Sequence, residues 1–174
     1  MTLLSLKPIP PDEQRRLDRL KRYSVLDTPR DPTFDRFVFI AAQLFRVPFA
    51  MITLVDHDRL WFKARVGITF AETPRDIAFC NETITSDDIF VIEDTTQDAR
   101  FAQNPLVLGT PFIRFYAGAP LISPDRQRIG TICILDRQPR TLLSSQTFQL
   151  QQLAHSVVHQ LELNTPTTDL PLPG

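Results

Sequence analysis

Residues 47–67 read VPFAMITLVDHDRLWFKARVG, and this stretch decides the fold class. Residues 49–55 form a continuous apolar run directly after Pro48, which is typical of a central strand covered on both faces. The polar residues 56–59 reverse the chain, and residues 60–66 then alternate between two kinds of side chain, as a half-buried strand does. The stretch therefore predicts a β-hairpin. The predicted inner face of its second strand comprises Leu60, Phe62, Ala64 and Val66, and the wetter face comprises Trp61, Lys63 and Arg65.

The remainder of the predicted sheet comes from three further apolar runs. Residues 89–93, 115–122 and 129–135 have the composition of strands, and the polar loop 123–127 joins the last two as a hairpin. The sheet is thus predicted to be mainly antiparallel. Residues 94–111 carry no strong pattern, and a connection of this length inside a compact domain is usually functional or mobile.

Three helices are predicted around these strands. Residues 32–45 have the clearest pattern, because Asp31 and Pro32 supply an N-cap and a first helical position and a broad apolar face follows. Residues 11–25 carry a thin apolar stripe on a charged helix, which suits a partner helix better than a core, and residues 144–162 carry apolar residues at helical spacing. Helices that pack beside an antiparallel sheet give the α+β fold class.

Composition argues against several classes of protein. The chain has 174 residues and a net charge of −1, whereas a general polyanion binder presents a surplus of Lys and Arg to phosphates. Cys80 and Cys133 are too few for a disulfide framework, so we expect a cytoplasmic protein. Residues 141–161 lack charged side chains, but their glutamines, histidines and serines predict an amphipathic helix and not a membrane span. Neither a nucleic acid nor a membrane is an expected partner.

Six strings of sequence, taken together, point to one family. They are VLDTPRDPTFD at 25–35, VPFAMITLVDHDRLWFKARVG at 47–67, FC at 79–80, DTTQDARFAQNPLV at 94–107, RFYAGAPL at 114–121 and IGTICILD at 129–136. The chain resembles the GAF domain subgroup that precedes histidine kinases and diguanylate cyclases in bacteria. This resemblance implies a GAF/PAS-like central antiparallel sheet of five or six strands. It also implies N- and C-terminal helices packed on one face and a ligand cavity on the other.

The chain is expected to have three parts. Residues 1–10 are expected to be a flexible leader, 11–163 the GAF domain, and 164–174 a disordered tail or linker. The tail is rich in proline and threonine and has nothing to bury. Within the domain, residues 67–114 are expected to form a roof over the ligand cavity.

Five side chains are candidates for contact with a ligand in that cavity. An arginine offers planar recognition of a carboxylate or phosphate, and an aromatic side chain offers an apolar wall. The candidates are Asp98, Arg100, Arg114, Tyr116 and Trp61. For Asp98 and Arg100 a structural alternative stays open, namely that they fix the irregular loop by capping and ion pairing. For Trp61, which covers the cavity or a partner helix on this interpretation, plain packing is the alternative.

Cys80 is the sixth candidate, as a reactive thiol or as the attachment point of a chromophore. Bilin-binding relatives place the attaching cysteine directly before a histidine. Asn81 follows here, so no covalent chromophore is expected. A lowered thiol pKa needs cationic neighbours, which Asn81 and Glu82 do not supply, and burial as a small apolar side chain is the alternative. Cys133 lies inside a predicted strand and is expected in the core.

The resemblance implies a sensory or regulatory module of a bacterial signal-transduction protein, for example in a two-component system, and not an enzyme. An unidentified small molecule or a partner would act through the terminal helices. These helices would pair with those of a second copy as a homodimer and relay to a downstream kinase or cyclase domain. Two alternatives stay open, a ligandless dimerisation module and a thiol-based reductase that uses Cys80 or Cys133. No metal site is predicted, because His155 and His159 share a helix face without a third ligand.

Overall fold

The computed structural model of the chain describes residues 11–165. The expected leader, and all but the first two residues of the expected tail, lie outside the described residues. Short 3-10 turns occupy Arg75–Ile77 and Thr95–Gln97. The helices and strands follow one another as α1 (Pro11–Arg22), α2 (Pro32–Phe45), β1 (Phe49–Val55), β2 (Arg59–Val66), β3 (Glu72–Pro74), α3 (Cys80–Thr83), β4 (Phe90–Ile92), α4 (Pro105–Leu108), β5 (Phe115–Ile122), β6 (Arg128–Asp136) and α5 (Ser144–Asn164).

The strands form one sheet in the order β3-β2-β1-β6-β5-β4, in which every neighbouring pair is antiparallel. This confirms the antiparallel sheet of an α+β domain and its two hairpins, β1–β2 and β5–β6. Strand β3 lies in a stretch for which the residues alone predicted no strand. It brings the sheet to six strands by pairing with the beginning of β2. Its three residues are too few to give a periodic signal.

Helices α1, α2 and α5 cover one face of the sheet. Leu20, Val38 and Val157, one from each helix, belong to a single buried cluster. The same cluster contains inward side chains of the central strands, such as Ile52 and Ile132. The main core therefore lies between this face and the three helices, as the resemblance implied.

Helix α2 begins and ends for local reasons. Asp31 has extended backbone angles, and its side chain accepts a hydrogen bond from the amide of Thr33 at 2.9 Å. Pro32 occupies the first helical position, where its missing N–H costs nothing. These two features confirm the predicted start. The helix ends at Phe45, and the left-handed backbone of the next residue, Arg46, directs the amide of Val47 to the carbonyl oxygen of Ala42 at 3.1 Å.

The first helix is buried more deeply than its charged sequence suggested. Leu17, Leu20 and Tyr23 are at most 4% exposed, and the side chains of Arg16 and Arg19 are also buried. Leu20 and Tyr23 belong to the chain's own core. The prediction that the stripe of this helix suits a partner better than a core is therefore wrong. The stripe packs on the sheet. The predicted stripe of α5 is likewise buried in this core, through Leu150, Ala154, Val157 and Leu161.

Strand β2 departs from the predicted alternation because it contains a β-bulge. Ile52 of β1 pairs with Ala64, whereas the next residue, Thr53, pairs with Phe62. Lys63 is thus the extra residue, and the side-chain alternation shifts by one position across it. A bulge leaves no mark in an apolar pattern of this length, so the sequence alone predicted a regular strand.

The bulge changes which face several side chains occupy. Leu60 and Phe62 face away from the helices, but Ala64 lies in the helix-side core together with Trp61. The prediction that Ala64 shares a face with Leu60 and Phe62 is therefore wrong. The prediction of a wetter face is also wrong for Trp61 and Lys63, which are 8% and 7% exposed.

Residues 67–114 contribute β3 and β4 to the two edges of the sheet, and the rest of this segment covers the other face, where the roof was expected. Phe79, Phe101, Val107 and Ile113 of this segment are buried. They form a second apolar cluster with side chains of the sheet. We keep the name roof for residues 67–114. The sheet thus separates the helical core from the region beneath the roof.

Candidate functional site

A small cavity lies between the roof and the sheet. Its volume is about 30 Å³. That is room for one or two water molecules, whereas ligand pockets usually measure roughly 300–1,000 Å³. Thr73, Cys80 and Tyr116 bring polar side chains to its wall. The apolar part of the wall includes Met51, Phe62, Ile68, Phe70, Phe79 and Leu135.

Cys80 is the first residue of α3, and hydrogen-bond donors surround its sulfur. Tyr116 Oη and Thr131 Oγ1 each donate to Cys80 Sγ at 3.2 Å. Cys133 belongs to the same buried cluster as Cys80 and Tyr116. All four side chains are at most 1% exposed. The sulfur of Cys80 is therefore a buried acceptor with several donors directed at it.

A second layer of hydroxyl groups supports the first. Thr83 Oγ1 lies 2.7 Å from Tyr116 Oη, and Thr53 Oγ1 lies 2.8 Å from Thr131 Oγ1, its partner across the β1–β6 pair. Because Tyr116 and Thr131 use their single protons on Cys80, Thr83 and Thr53 must be the donors in these outer bonds. Every hydroxyl proton thus points toward the sulfur. We name Cys80, Cys133, Tyr116, Thr131, Thr83 and Thr53 the thiol cluster.

The thiol cluster separates the pKa values of its two cysteines. Burial raises the pKa of Cys80, but hydrogen bonds from Cys133, Thr131 and other members of the cluster outweigh it and lower that pKa from 9.0 to about 6. Burial and the hydrogen bond with Cys80 raise the pKa of Cys133. Burial and the two sulfurs raise the pKa of Tyr116. Cys80 is therefore the group that ionises first. Hydroxyl and thiol donors lower its pKa here, in place of the cationic neighbours from which a lowered thiol pKa was expected.

Local structure holds Cys80 against the sheet. The 3-10 turn Arg75–Ile77 redirects the chain immediately before α3. Phe79 then stacks on the ring of Tyr116, with the two ring centroids 5.3 Å apart. The ring of Phe101 packs on the other side of the pair, 4.9 Å from Phe79. The aromatic residues thus fix both the start of α3 and the phenol that donates to Cys80.

Asp98 and Arg100 lie on the roof but do not line the cavity. Arg100 Nη2 lies 2.8 Å from Asp98 Oδ2, and Asp98 Oδ1 accepts the Arg100 amide at 2.9 Å. The guanidinium also lies over the rings of Phe90 and Phe101, 5.1 Å and 5.5 Å from their centroids. Hydrogen bonds from Arg100 lower the pKa of Asp98. This geometry fits the loop-fixing alternative that the sequence left open.

The structure also separates the other predicted ligand contacts. Arg114 Nη1 donates to the carbonyl oxygens of Val107 and Ile113 at 2.9 Å and 3.1 Å, so it fixes the end of the roof. Trp61 lies in the core on the helical side of the sheet. Of the six candidates, only Cys80 and Tyr116 line the cavity.

A hydrogen-bonded chain connects the roof to α1. Arg75 Nε donates to Asn81 Oδ1 at 2.9 Å, and Arg75 Nη1 donates to Glu13 on α1. Arg16 Nη2 also pairs with Glu13, and Arg16 Nη1 donates to the carbonyl oxygen of Val55 at 2.7 Å. Burial opposes the charge on Glu13, but hydrogen bonds from Arg16 and Arg75 outweigh it and lower its pKa to about 2. We name Asn81, Arg75, Glu13 and Arg16 the relay.

Sequence reasoning missed the relay and the threonines of the thiol cluster. Thr53 and Thr131 did carry a signal, since a hydroxyl within an otherwise apolar strand is costly to bury unless it is hydrogen-bonded. The relay carried none. Glu13 and Arg75 are 62 residues apart in the chain, and nothing local to either residue indicates the other.

The arrangement of sheet, helices and roofed cavity agrees with a comparison of the sequence with known families. The sequence profile of the GAF domain matches residues 29–163. The chain belongs to the GAF domain family. This GAF domain is 38% identical over 137 residues to a cyclic di-GMP phosphodiesterase from Pseudomonas aeruginosa. The match covers 79% of this chain and 23% of that protein, so the chain spans less than a quarter of the length of this relative.

Solved structures share the fold of this GAF domain. The GAF domain of a phosphoenolpyruvate-protein phosphotransferase from Acinetobacter superposes with a TM-score of 0.62 at 17% identity, covering 86% of this chain and 94% of that one. A type II free methionine-R-sulfoxide reductase from Thermoplasma acidophilum superposes with a TM-score of 0.64 at 13% identity, covering 84% and 97%. At these identities the likeness shows the fold alone.

Two further properties concern residues 11–165. None of their helices combines the length and apolarity that crossing a bilayer requires. Among the same residues, no three His, Cys, Asp or Glu side chains lie together in a way that could hold a metal ion. GAF domains of this kind occur in bacterial signalling proteins, which is consistent with a sensory or regulatory role.

Proposed function

We propose that this GAF domain is a non-enzymatic sensory module in which a chemical event beneath the roof changes the position of α1. The observation that carries the proposal is the double contact of Arg75. Its guanidinium bonds to Asn81, the residue after Cys80, and to Glu13 on the N-terminal helix. A stimulus that favours one arrangement of the roof would thus favour one arrangement of α1, by the difference in its affinity for the two.

The size of the cavity restricts the stimulus. A volume of about 30 Å³ admits only a molecule of one or two heavy atoms unless the roof moves outward. A larger metabolite would therefore bind only by opening the roof, and the free energy of opening would reduce its apparent affinity. This favours a very small stimulus over a nucleotide or an amino acid. The ligandless alternative differs in having no stimulus at all.

We expect Asn81→Ala to loosen α1 without direct contact to it. Arg75 would lose the acceptor that fixes its guanidinium from the roof side. The amides of α1 should exchange hydrogen about fivefold faster, which corresponds to a lost hydrogen bond of roughly 1 kcal/mol. Hydrogen exchange followed by mass spectrometry on the full chain measures this, with the amides of β5 as an internal reference.

Asp98→Asn is the matched control for that experiment. It breaks an ion pair of the roof that makes no contact with α1. Its α1 amides should exchange at the wild-type rate, within about a factor of two. Equal effects of both variants on α1, or no effect of Asn81→Ala, would contradict a relay through Arg75.

We also propose that the domain acts as a homodimer, with α5 as the main helix of the interface. The outward stripe of α5 comprises Phe148, Gln152, His155, Ser156, His159 and Leu163, all exposed. Phe148 and Leu163 are 60% and 65% exposed, and large exposed apolar side chains favour association.

By analogy with the similar phosphodiesterase, the output in a longer protein would be an attached enzyme domain that acts on cyclic di-GMP, or a kinase or cyclase.

Phe148→Glu should weaken this dimer by about tenfold or more, because a buried carboxylate would replace an apolar contact. Sedimentation equilibrium of the full chain measures the dissociation constant. Phe112→Glu is the control, since Phe112 belongs to the roof and is 47% exposed. If wild type is monomeric at the highest concentration, or if both variants weaken the dimer equally, the interface on α5 is refuted.

A further inference from the structure

We propose that the thiol cluster is a peroxide-reactive site, in which Cys80 is oxidised by a small peroxide and Cys133 then closes a disulfide with it. The proposal deepens the sensory role, and rests on it, by naming the chemical class of the stimulus. It stands on the geometry of the cluster, in which Tyr116 and Thr131 donate to Cys80 and Cys133 belongs to the same buried group. Cys80 and Tyr116 also line the cavity of about 30 Å³. Hydrogen peroxide is a molecule of two heavy atoms and fits a space of that size.

The two thiols of the cluster differ chemically. A nucleophilic cysteine must be a thiolate, and a resolving cysteine must keep a thiol nearby. Cys80 accepts hydrogen bonds from Tyr116 and Thr131, which stabilise a negative sulfur. Cys133 belongs to the same cluster, and because its pKa is raised, its thiol stays protonated when Cys80 is ionised. The cluster therefore contains one group for each role.

A small oxidant has a path from the surface to the sulfur of Cys80. Both sulfurs are buried, at 1% and 0% exposure. The cavity nevertheless includes Cys80 in its wall, and Phe70, which is 36% exposed, lines the same cavity. One wall of the cavity thus reaches the surface of the roof. A water-sized oxidant has a short path inward, whereas a bulky disulfide or a methionine sulfoxide does not.

The reaction balances in two steps. In the first, the Cys80 thiolate attacks one peroxide oxygen, an S–O bond forms and the O–O bond breaks. The departing oxygen leaves as hydroxide and becomes water with the proton that Cys80 released when it ionised. The product is a sulfenic acid on Cys80, and the peroxide has accepted two electrons. In the second, the sulfur of Cys133 attacks the sulfur of Cys80, an S–S bond forms and the S–O bond breaks. The hydroxyl leaves as water with the proton of Cys133.

The hydroxyl groups have a defined part in this chemistry. Tyr116 and Thr131 donate to the sulfur before reaction, and in the reaction the negative charge passes from that sulfur to the departing peroxide oxygen. Donors fixed in place before the reaction stabilise developing charge without reorganisation. Closing the disulfide would draw α3 toward β6, and Asn81, the next residue, would move Arg75 and hence α1.

The experiment treats the wild-type chain of 174 residues with hydrogen peroxide at neutral pH and maps cysteine-containing peptides without reduction. We expect a disulfide between the peptides of Cys80 and Cys133, formed at least about tenfold faster than in the same chain unfolded in urea. Dithiothreitol should reverse it. If the folded chain keeps both thiols free under conditions that oxidise the unfolded chain, the proposal is overturned, and no variant is needed to reach that result.

Three variants assign the roles. Cys133→Ser should stop at a sulfenic acid on Cys80 that dimedone traps, and Cys80→Ser should leave Cys133 unoxidised. Thr131→Val keeps the shape of its side chain, removes one donor and should slow the oxidation severalfold. Oxidation of Cys133 in the Cys80→Ser chain at the wild-type rate would overturn the assignment. A thermal melt of each variant confirms that it is folded.

Hydrogen exchange separates this proposal from the sensory role itself. If peroxide closes the disulfide and α1 exchanges at a new rate, both stand. If the disulfide forms and α1 is unchanged, the reactive site stands and the sensory relay falls. If neither thiol reacts but Asn81→Ala still loosens α1, the relay stands and the peroxide site is overturned.

Discussion

We expect Arg16→Met to lower the free energy of unfolding by about 3 kcal/mol at neutral pH, because it removes one partner of a buried ion pair. Arg16 is 6% exposed. Methionine can replace the apolar stem of the side chain but neither of its bonds to Glu13 nor its bond to the Val55 carbonyl. Urea unfolding followed by circular dichroism measures the loss.

The neighbouring arginine is the control. Arg15 forms an ion pair with Asp12 that has the same helical spacing, but its side chain is 64% exposed. Exposed pairs are screened by solvent, so Arg15→Met should cost about 0.5 kcal/mol or less. Equal losses for the two variants would show that burial does not decide the strength of these pairs. The two substitutions are otherwise matched in chemistry and in position on α1.

The pH dependence of the same variant follows from Glu13. Its pKa is lowered from 4.5 to about 2 in the folded chain, where burial is outweighed by the bonds from Arg16 and Arg75. A lowered carboxyl pKa contributes stability above the unfolded value, and that stability is lost as the pH falls from about 4.5 to about 2. The difference between wild type and Arg16→Met should therefore shrink over this interval. The part that remains at the acidic end belongs to the bonds of Arg16 to the carbonyl oxygens of Val55 and Arg128.

The sequence predicted those features of the fold that depend on local pattern. The central hairpin, the start of α2 at Asp31 and Pro32, and the antiparallel sheet all follow from residues that are close together in the chain, and the structure confirms them. The bulge at Lys63 and the three-residue strand β3 escaped prediction. A single inserted residue and a run of three residues are both shorter than the roughly four to eight residues over which the alternation of a strand is recognised.

The candidate site was predictable only in part, for a different reason. Cys80 and Tyr116 were identified and lie at the cavity. Whether a cysteine is reactive depends on the groups around its sulfur, and here those groups come from β1, β5, β6 and α3. The sequence neighbours of Cys80 contributed little to its pKa. Only the register of β1 against β6 brings Thr53 and Thr131 beside it.

We expect Gly118→Ala to destabilise the domain by about 3 kcal/mol, an overpacking effect to which lost hydrogen bonds add. A Cβ atom at Gly118 would overlap Tyr116 Oη and approach Tyr116 Cζ to 2.8 Å. Tyr116 cannot move aside easily, because it is 0% exposed and stacked on Phe79. The phenol would therefore leave its places beside Thr83 and Cys80. Urea unfolding measures the first effect, and the pH dependence of Cys80 alkylation measures the second, as an increase in its pKa.

A double-mutant cycle with Tyr116→Phe locates the cause of that loss. Phenylalanine has no hydroxyl for the new methyl group to overlap, so Gly118→Ala should cost about 1 kcal/mol less in the Tyr116→Phe background. Gly109→Ala serves as the control, since a Cβ there would meet only the Pro105 carbonyl, at 3.3 Å. Its effect should stay below about 1 kcal/mol. If the losses for Gly118→Ala and Tyr116→Phe are additive, Gly118 contributes to the packing of the strand and not to the position of the Tyr116 hydroxyl. Coupled losses would mean that its missing side chain makes the space in which the Tyr116 hydroxyl reaches the sulfur.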